Sequence, residues 1–296
     1  MGSVDIIPGI SGGTIAFITG IYHKLLKSIN RFSFEKLFKG QFRIFWQDIN
    51  GPFILSLFLG IISGILFLSG ILIYLFQNHP ISITSFIFGV IFATFFLFIK
   101  LIKNKKIGDY FFLTISLVIS AYLTQINTFS VEPNLIYLFF SSVVAVSAMI
   151  LPGISGAMIF LILGVYNEIL FVIRSSITVL IDFNMKDFLN VYSKICVISF
   201  GVIFGLKIFS KIVIWFFKNK RRKTFLILTG LMGGSLPTLW PLKDCLNFDI
   251  LISRFISDKS LITCKIFQMI ECVFFILVGV ILILVFNRLK KPIENF

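Results

Sequence analysis

The chain has 296 residues, of which 57% are hydrophobic and only 14% are charged, and its mean hydropathy is +1.01. Soluble domains carry about a quarter of their residues as Asp, Glu, Lys and Arg, so this composition excludes a soluble enzyme or binding module. The formal net charge is +14, from 27 basic and 13 acidic side chains. In so apolar a chain, such an excess indicates loops that face anionic lipid at the cytoplasmic surface, and it does not indicate nucleic-acid binding.

Long apolar runs predict an all-α integral membrane protein, because the longer ones reach the roughly 20 residues that cross a bilayer core. The runs cover residues 52–76, 82–102, 110–126, 135–151, 157–173, 195–217, 224–240 and 266–286. Three glycines and a proline lie within 224–240, so this run is expected to break before it crosses. The spacing of Cys, His and acidic residues indicates no metal site, and we expect no cofactor.

The sequence contains an internal repeat. Residues 8–26 align with 152–170 at a shift of 144, and both segments begin Pro-Gly-Ile-Ser-Gly. At a shift of 141, residues 60–69 align with 201–210, and Gly89 then meets Gly230. These ordered matches indicate a duplication, which we assign to a first repeat over 1–130 and a second over 131–296, within one membrane domain.

The distribution of Lys and Arg predicts that the second repeat is inverted. Basic residues concentrate in four segments, 24–43, 100–106, 218–223 and 288–291, whereas 77–81 and 125–134 contain none. Because cytoplasmic loops are rich in Lys and Arg, the four basic segments and the C-terminus are placed in the cytoplasm. The two copies then cross the membrane in opposite directions.

The same topology predicts two re-entrant helical hairpins with Pro-Gly-Ile-Ser-Gly at their tips. Residues 135–173 form one hairpin, with its tip at 152–156 entering from outside, and the tip at 8–12 is approached from the cytoplasm. Only seven residues precede Pro8, so the first hairpin is expected to have almost no leading arm. Two such breaks, entering from opposite faces, are typical of inverted-repeat transporters.

Each tip has the residues of an anion site. Proline ends a helix, and the glycines allow unusual backbone angles. The helix that starts after the tip presents unpaired N–H groups and its positive dipole end, together with nearby hydroxyls. The residues assigned to phosphate binding at the tips are Gly9, Ser11, Gly12, Gly13, Thr14, Gly153, Ser155 and Gly156.

Charged residues inside apolar runs are costly and usually functional. Lys207 and Lys211 lie one turn apart in 195–217, and we predict that they form a cationic track toward the cytoplasm that binds phosphate. Asp5 and Glu271 are the candidates for proton coupling. A sodium ion is an alternative coupling ion, and the sequence indicates neither the ion nor the oligomeric state.

The serine and glycine motifs also fit two other interpretations, a serine hydrolase and close helix packing. Gly9-Ile10-Ser11-Gly12-Gly13 matches the Gly-x-Ser-x-Gly pattern of serine hydrolases, but the chain has only two histidines, and two symmetric serines do not make one catalytic dyad. The glycine pairs Gly60/Gly64 and Gly201/Gly205 are better explained as close helix contacts than as ligand sites. We therefore expect no enzymatic activity, and a small-anion transporter remains the main alternative.

The segments 8–14, 148–156 and 230–241, which read PGISGGT, AMILPGISG and GLMGGSLPTLWP, together resemble the PopT-type polyprenyl-phosphate transporters. The resemblance covers nearly the whole chain. It implies a bacterial inner-membrane protein that returns undecaprenyl phosphate from the outer to the inner leaflet for cell-wall synthesis, with the lipid as its partner. The family reads roughly Phe-Ser-Arg after the second glycine pair, where this chain has lysine at position 211.

Overall fold

The computed structural model describes residues 1–2, 11–102, 106–124, 126, 133–182, 185–241 and 259–289. Every regular element within these ranges is a helix, as the composition predicts. In chain order the helices are α1 (Gly12–Thr19), α2 (Tyr22–Asn30), α3 (Phe34–Phe38), α4 (Phe42–Asp48), α5 (Gly51–Asn78), α6 (Pro80–Leu101), α7 (Ile107–Leu123), α8 (Leu135–Ile150), α9 (Gly156–Ile162), α10 (Tyr166–Asp182), α11 (Met185–Gly234) and α12 (Lys259–Leu289), with a 3₁₀ turn at Leu236–Leu239.

Four of the described helices, α5, α6, α11 and α12, are long and apolar enough to cross a membrane. Shorter apolar helices, α7 and α8, accompany them, and α9 and α10 pass the same test together as one bent pair. The prediction of an all-helical protein with several helices that could span a membrane is therefore confirmed for the described residues.

Helix α11 changes direction at Lys220, whose backbone angles (φ −139°, ψ 47°) are not helical. We name its two parts α11a (residues 185–219) and α11b (residues 221–234). The break lies within the basic segment 218–223, where charged side chains can reach water. The α11b helix then stops at Gly234, before the 3₁₀ turn, so the predicted break in 224–240 is observed.

Glycines set the packing of α11a against α8. A Cβ at Gly201 would lie 2.7 Å from the carbonyl oxygen of Phe139, and a Cβ at Gly205 would lie 2.8 Å from that of Val143. These contacts advance along both helices in the same sense, so α8 and α11a are parallel. The predicted packing role of Gly201 and Gly205 is confirmed. By contrast, Gly60, the counterpart of Gly201, has no described residue within 4 Å of its Cβ position, so the packing role predicted for Gly60 is not observed among the described residues.

The two predicted repeats exchange helices. Gly89 of α6, in the first repeat, lies against the backbone of Ile276 in α12. Its counterpart Gly230 in α11b, in the second repeat, lies against Leu113 and Ser116 of α7. Each of these matched glycines therefore packs on a helix of the other half.

The basic segments converge on one end of the helical bundle, which we call the basic end. Arg222, just after the break in α11, forms an ion pair with Asp109 at the start of α7. Helix α12 runs parallel to α6, because its contacts with α6 advance from Ser82–Glu271 to Gly89–Ile276. Both helices therefore reach the same end, where the side chains of α2 and of the α11 break also lie.

The backbone conformation after the first motif is closely similar to that after the second. Helices α1 and α9 both end at a glycine with positive φ, 78° at Gly20 and 72° at Gly164. The amide of Gly20 donates to the carbonyl of Phe17, and that of Gly164 to the carbonyl of Leu161, at the same shift of 144. The glycine turn bends α9 from α10 by 116°. The apolar run 157–173 is therefore a broken helix.

Candidate functional site

The end of the first Pro-Gly-Ile-Ser-Gly segment, from Ser11 onward, contacts the tip of the second motif. The amide of Gly153, in the tip between α8 and α9, donates to the hydroxyl of Thr14 at 2.9 Å. The hydroxyl of Ser11 donates to the carbonyl of Leu151 at 3.3 Å and lies 3.2 Å from that of Thr14. The start of α1 is therefore bonded directly to the tip of the other copy.

Close backbone approach explains the glycines at this junction. A Cβ on Gly13 would lie 2.6 Å from the carbonyl oxygen of Ile150 at the end of α8. Gly153 has φ +89°, and its Cβ would meet the backbone of Leu231 and lie 2.7 Å from Cα of Met232 in α11b. A larger residue at position 153 would have a strained backbone, and its side chain would overlap the backbone of α11b, so only glycine fits.

The hydroxyls predicted to bind phosphate are buried in this conformation. Ser11 and Thr14 are each 1% exposed, and Ser155 is 9% exposed. Ser11 also caps its own helix by accepting from the amide of Thr14 at 3.3 Å. The Ser11 and Thr14 hydroxyls thus hold the tips together and do not line an open site. Gly12 and Gly156 are buried beside them, whereas Gly9 lies outside the described residues.

The predicted charged residues do not join the tips. Lys207 and Lys211 are exposed, on the side of α11a away from the glycine face that packs on α8. Glu271 accepts a hydrogen bond from Ser82 in the first turn of α6, at the opposite end from the basic end. Asp5 lies outside the described residues.

A cavity of about 640 Å³ opens at the basic end, and we call it the basic cavity. Its volume is within the roughly 300–1,000 Å³ of typical ligand pockets. Its cationic lining comes from α2 and from the break in α11. The described lining residues are Phe17, Gly20, Tyr22, His23, Lys27, Phe98, Leu101, Ile214, Phe217, Lys218, Arg221 and Phe225, and none of them is acidic.

The floor of the basic cavity is aromatic. The ring centroid of Phe17 lies 4.9 Å from that of Phe98 and 5.3 Å from that of Phe225, and the ring of Tyr22 lies 6.1 Å from that of Phe217. These contacts join α1 and α2 to α6 and to both parts of α11. The cavity therefore combines a cationic rim with an apolar base.

Two polar groups of the basic cavity have unusual surroundings. Tyr22 is 3% exposed, and its hydroxyl has no hydrogen-bond partner among the described residues. Burial raises the pKa of Tyr22, so the phenol stays protonated and can donate. The pKa of His23 is lowered by partial burial and by the nearby charges of Lys27 and Arg221, which favours the neutral imidazole.

Sequence reasoning missed the basic cavity, because its cations were interpreted only as markers of the cytoplasmic side. A local signal was present. His23 and Lys27 are four residues apart on α2, so they share a helix face, and Lys218 and Arg221 lie close together in the second basic segment. The contact between the two segments could not be read from either one alone.

The geometry gives no support to a serine hydrolase. The described partners of the Ser11 hydroxyl are Thr14 and the carbonyl of Leu151, so no histidine base is positioned on it. His23 lies at the basic cavity, against the ring of Phe217. Among the described residues no group of His, Cys, Asp and Glu could hold a metal ion.

Comparison with known proteins decides the family. A family model described as undecaprenyl phosphate translocase-like matches residues 1–256. The chain belongs to the undecaprenyl phosphate translocase-like family. It is 38% identical over 253 residues to a polyprenyl-phosphate transporter of Vibrio cholerae, with 84% of this chain and 78% of the relative covered. It is 31% identical over 255 residues to a polyprenyl-phosphate transporter of Staphylococcus aureus, with 81% and 83% covered.

No solved structure matches the chain. The resemblance drawn from the three sequence motifs is confirmed by the family model and by both relatives. The undecaprenyl phosphate translocase-like family is a transporter family, in agreement with the prediction that the chain is not an enzyme.

Proposed function

We propose that this chain moves polyprenyl phosphate between the two leaflets of the bacterial cytoplasmic membrane, returning the lipid carrier for cell-wall synthesis. The observation that carries the proposal is the hydrogen bond between Thr14, just after the first motif, and Gly153 in the tip of the second motif, in a member of this family. Both relatives are named as polyprenyl-phosphate transporters and come from bacteria.

The depth of the junction supports a site at the membrane centre. Gly153 packs against Leu231, ten residues along α11b from Arg221 at the basic end. A helix rises ~1.5 Å per residue, so the contact lies ~15 Å from that end, which is half of a ~30 Å bilayer core. Non-helical backbone is tolerated at such a depth only where protein or a wet cavity surrounds it, and Pro152 and Gly153 are buried.

Helix directions support an inverted repeat with re-entrant hairpins. Helix α1 leaves its tip and ends at Gly20, beside the basic cavity. Helix α9 leaves its tip in the other direction. Just after its end, the carbonyl of Leu163 accepts a hydrogen bond of 2.8 Å from the hydroxyl of Tyr137, which lies at the start of α8, away from the basic end. Matched helices that leave a common centre in opposite directions are what an inverted repeat requires.

A route for the headgroup follows one stripe of α11. Lys207, Lys211, Ile214 and Lys218 recur at intervals of four, three and four residues, so they share a helix face. Ile214 and Lys218 line the basic cavity, while Lys207 lies about three turns deeper, near the depth of the tips. We propose that the phosphate passes along this exposed stripe while the prenyl tail stays in lipid.

Reconstitution tests the transport activity. Liposomes are loaded with polyprenyl phosphate in both leaflets, and an external phosphatase hydrolyses only headgroups that reach the outer leaflet. The native chain should expose the inner pool, and a Gly153→Leu variant that inserts normally should not. If the native chain leaves the inner pool protected but carries inorganic phosphate across the same membrane, the small-anion alternative is correct.

Cysteine labelling tests the topology. In a cysteine-free background, single cysteines replacing Asn127 and Ser176 should react with an impermeant reagent from outside. Cysteines replacing Asn104 and Asn219 should react only from the cytoplasm. Labelling of position 176 from the cytoplasm alone would mean that the two repeats are parallel, and the C-terminus would then need reassignment.

A further inference from the structure

We infer that the basic cavity is the binding site for the phosphate monoester headgroup of the lipid at the cytoplasmic side. This inference rests on the proposed function, because it assigns the substrate's charged group to a site at one end of the route. The phosphate would contact Lys27, Lys218 and the Tyr22 hydroxyl, with His23 and Arg221 at the rim.

The described lining of the basic cavity carries positive charge and contains no acidic residue. Several other basic residues of the same segments form ion pairs with acidic residues, in Lys36–Asp48, Lys39–Glu35 and Arg222–Asp109. The lysines Lys27 and Lys218 instead line the cavity together. If these cations served only to orient the chain in the membrane, they would have no reason to gather around one concave surface. A doubly charged phosphate would balance them.

The hydroxyl of Tyr22 supplies an independent argument. A buried hydroxyl without a partner costs free energy, so such groups are rare unless something else satisfies them. This hydroxyl belongs to a residue that lines the basic cavity, and its raised pKa keeps it a donor at neutral pH. A phosphate oxygen in the cavity would accept its hydrogen bond.

The apolar floor fits the other half of the ligand. Phe17, Phe98 and Phe225 form a packed aromatic cluster beneath the cations. The first isoprene units next to the phosphate are branched hydrocarbon, which gains free energy by leaving water for such a surface. Inorganic phosphate lacks this contact, so the cavity should prefer the lipid monoester to the free anion.

Binding to the purified full-length chain in detergent tests the inference. The probes are farnesyl phosphate, inorganic phosphate and farnesol, measured by calorimetry. We expect farnesyl phosphate to bind most tightly, inorganic phosphate to compete with it weakly, and farnesol to bind at least about tenfold more weakly than its phosphate ester, since a charged hydrogen bond contributes about that factor or more.

Matched variants distinguish binding of the phosphate in the cavity from a general attraction to the positively charged surface. The double variant Lys27→Gln/Lys218→Gln should weaken farnesyl phosphate binding by about tenfold to hundredfold. The control Lys24→Gln/Lys220→Gln removes the same charge from exposed positions of the same two segments that do not line the cavity, and should change binding by less than about twofold. Equal weakening in both would overturn the inference, since the attraction would then be diffuse.

A Tyr22→Phe variant tests whether a loss of affinity could come only from a loss of stability. It removes only the unpartnered hydroxyl, so thermal stability should be unchanged or higher, while farnesyl phosphate affinity should fall by about threefold to tenfold. Unchanged affinity would exclude the hydroxyl from the site. Transport in the liposome assay is measured on the same proteins. A native chain that binds but does not transport refutes the proposed function, whereas cavity variants that bind and transport like the native chain refute only this inference.

Discussion

Gly153→Ala is the sharpest test of the junction between the motif tips. Its φ of +89° costs a side-chain-bearing residue ~1–2 kcal/mol. The added Cβ would also meet backbone atoms of Leu231 and Met232 in α11b, which cannot rotate away as a flexible side chain could. Overpacking of this kind costs ~1–3 kcal/mol, so the expected total loss of stability is ~2–5 kcal/mol.

Thermal unfolding in detergent measures this loss, and the liposome assay measures its effect on transport. We expect the melting temperature to fall by at least about 5 °C and transport to be lost or strongly reduced. Gly40→Ala separates the two costs, because Gly40 also has positive φ (+68°) but no described atom lies within 4 Å of its Cβ position. A Gly153→Ala protein as stable and active as the native chain would refute the described packing of the tip on α11b.

Four further predictions follow from the same contacts. Thr14→Val removes the acceptor of the Gly153 amide and should destabilise the protein by ~1–3 kcal/mol in thermal unfolding, whereas Thr14→Ser, which keeps the hydroxyl, should lose less. Lys207→Gln should slow transport in liposomes while Lys207→Arg retains most of it, and a Gln variant as fast as the native chain would remove Lys207 from the route. The pKa of His23 is lowered in the free protein, and the negative charge of a bound phosphate should raise that pKa, so that binding takes up a proton. Farnesyl phosphate affinity should therefore increase more steeply in the native chain than in His23→Gln as the pH falls toward and below 6.5. Glu271→Gln should leave the pH dependence of transport unchanged, because its partner Ser82 lies away from the basic end, and a flattened pH profile would restore Glu271 as a proton carrier.

The sequence predicted the helices well, because an apolar run of sufficient length is all that a membrane span requires. It also predicted the break after α11b, where glycine and proline both act against a helix. The position of the bend at Gly164 could not be predicted, because Leu163-Gly164-Val165 is apolar throughout and hydropathy carries no information about the direction of a helix. The matched glycines Gly20 and Gly164 were visible in the alignment, but only the structure shows that both adopt positive φ.

The candidate site was predicted only in part. Identical motifs indicated that the two tips act together, yet the hydroxyls of Ser11 and Thr14 bond to the second segment where an open anion site was expected. The basic cavity could not be predicted, since α2 and the α11 break lie far apart in the chain and only tertiary packing brings them together. Lys207 was placed near the membrane midplane from its position in an apolar run, but run composition does not reveal which face of α11a packs on α8 and which is exposed.

The exchange of helices between the two halves constrains how the protein is made. Helix α6 leaves the ribosome long before α12, so the stripe around Gly89 stays without its partner until translation is almost finished. In the same way, helix α7 is synthesised well before α11b, the helix on which it packs. Domains generally fold in the order of synthesis, but the pairs α6–α12 and α7–α11b each take one helix from either half. Final assembly therefore follows completion of the chain, and a protein truncated before α12 should be a substrate for membrane proteolysis even though its first repeat is intact.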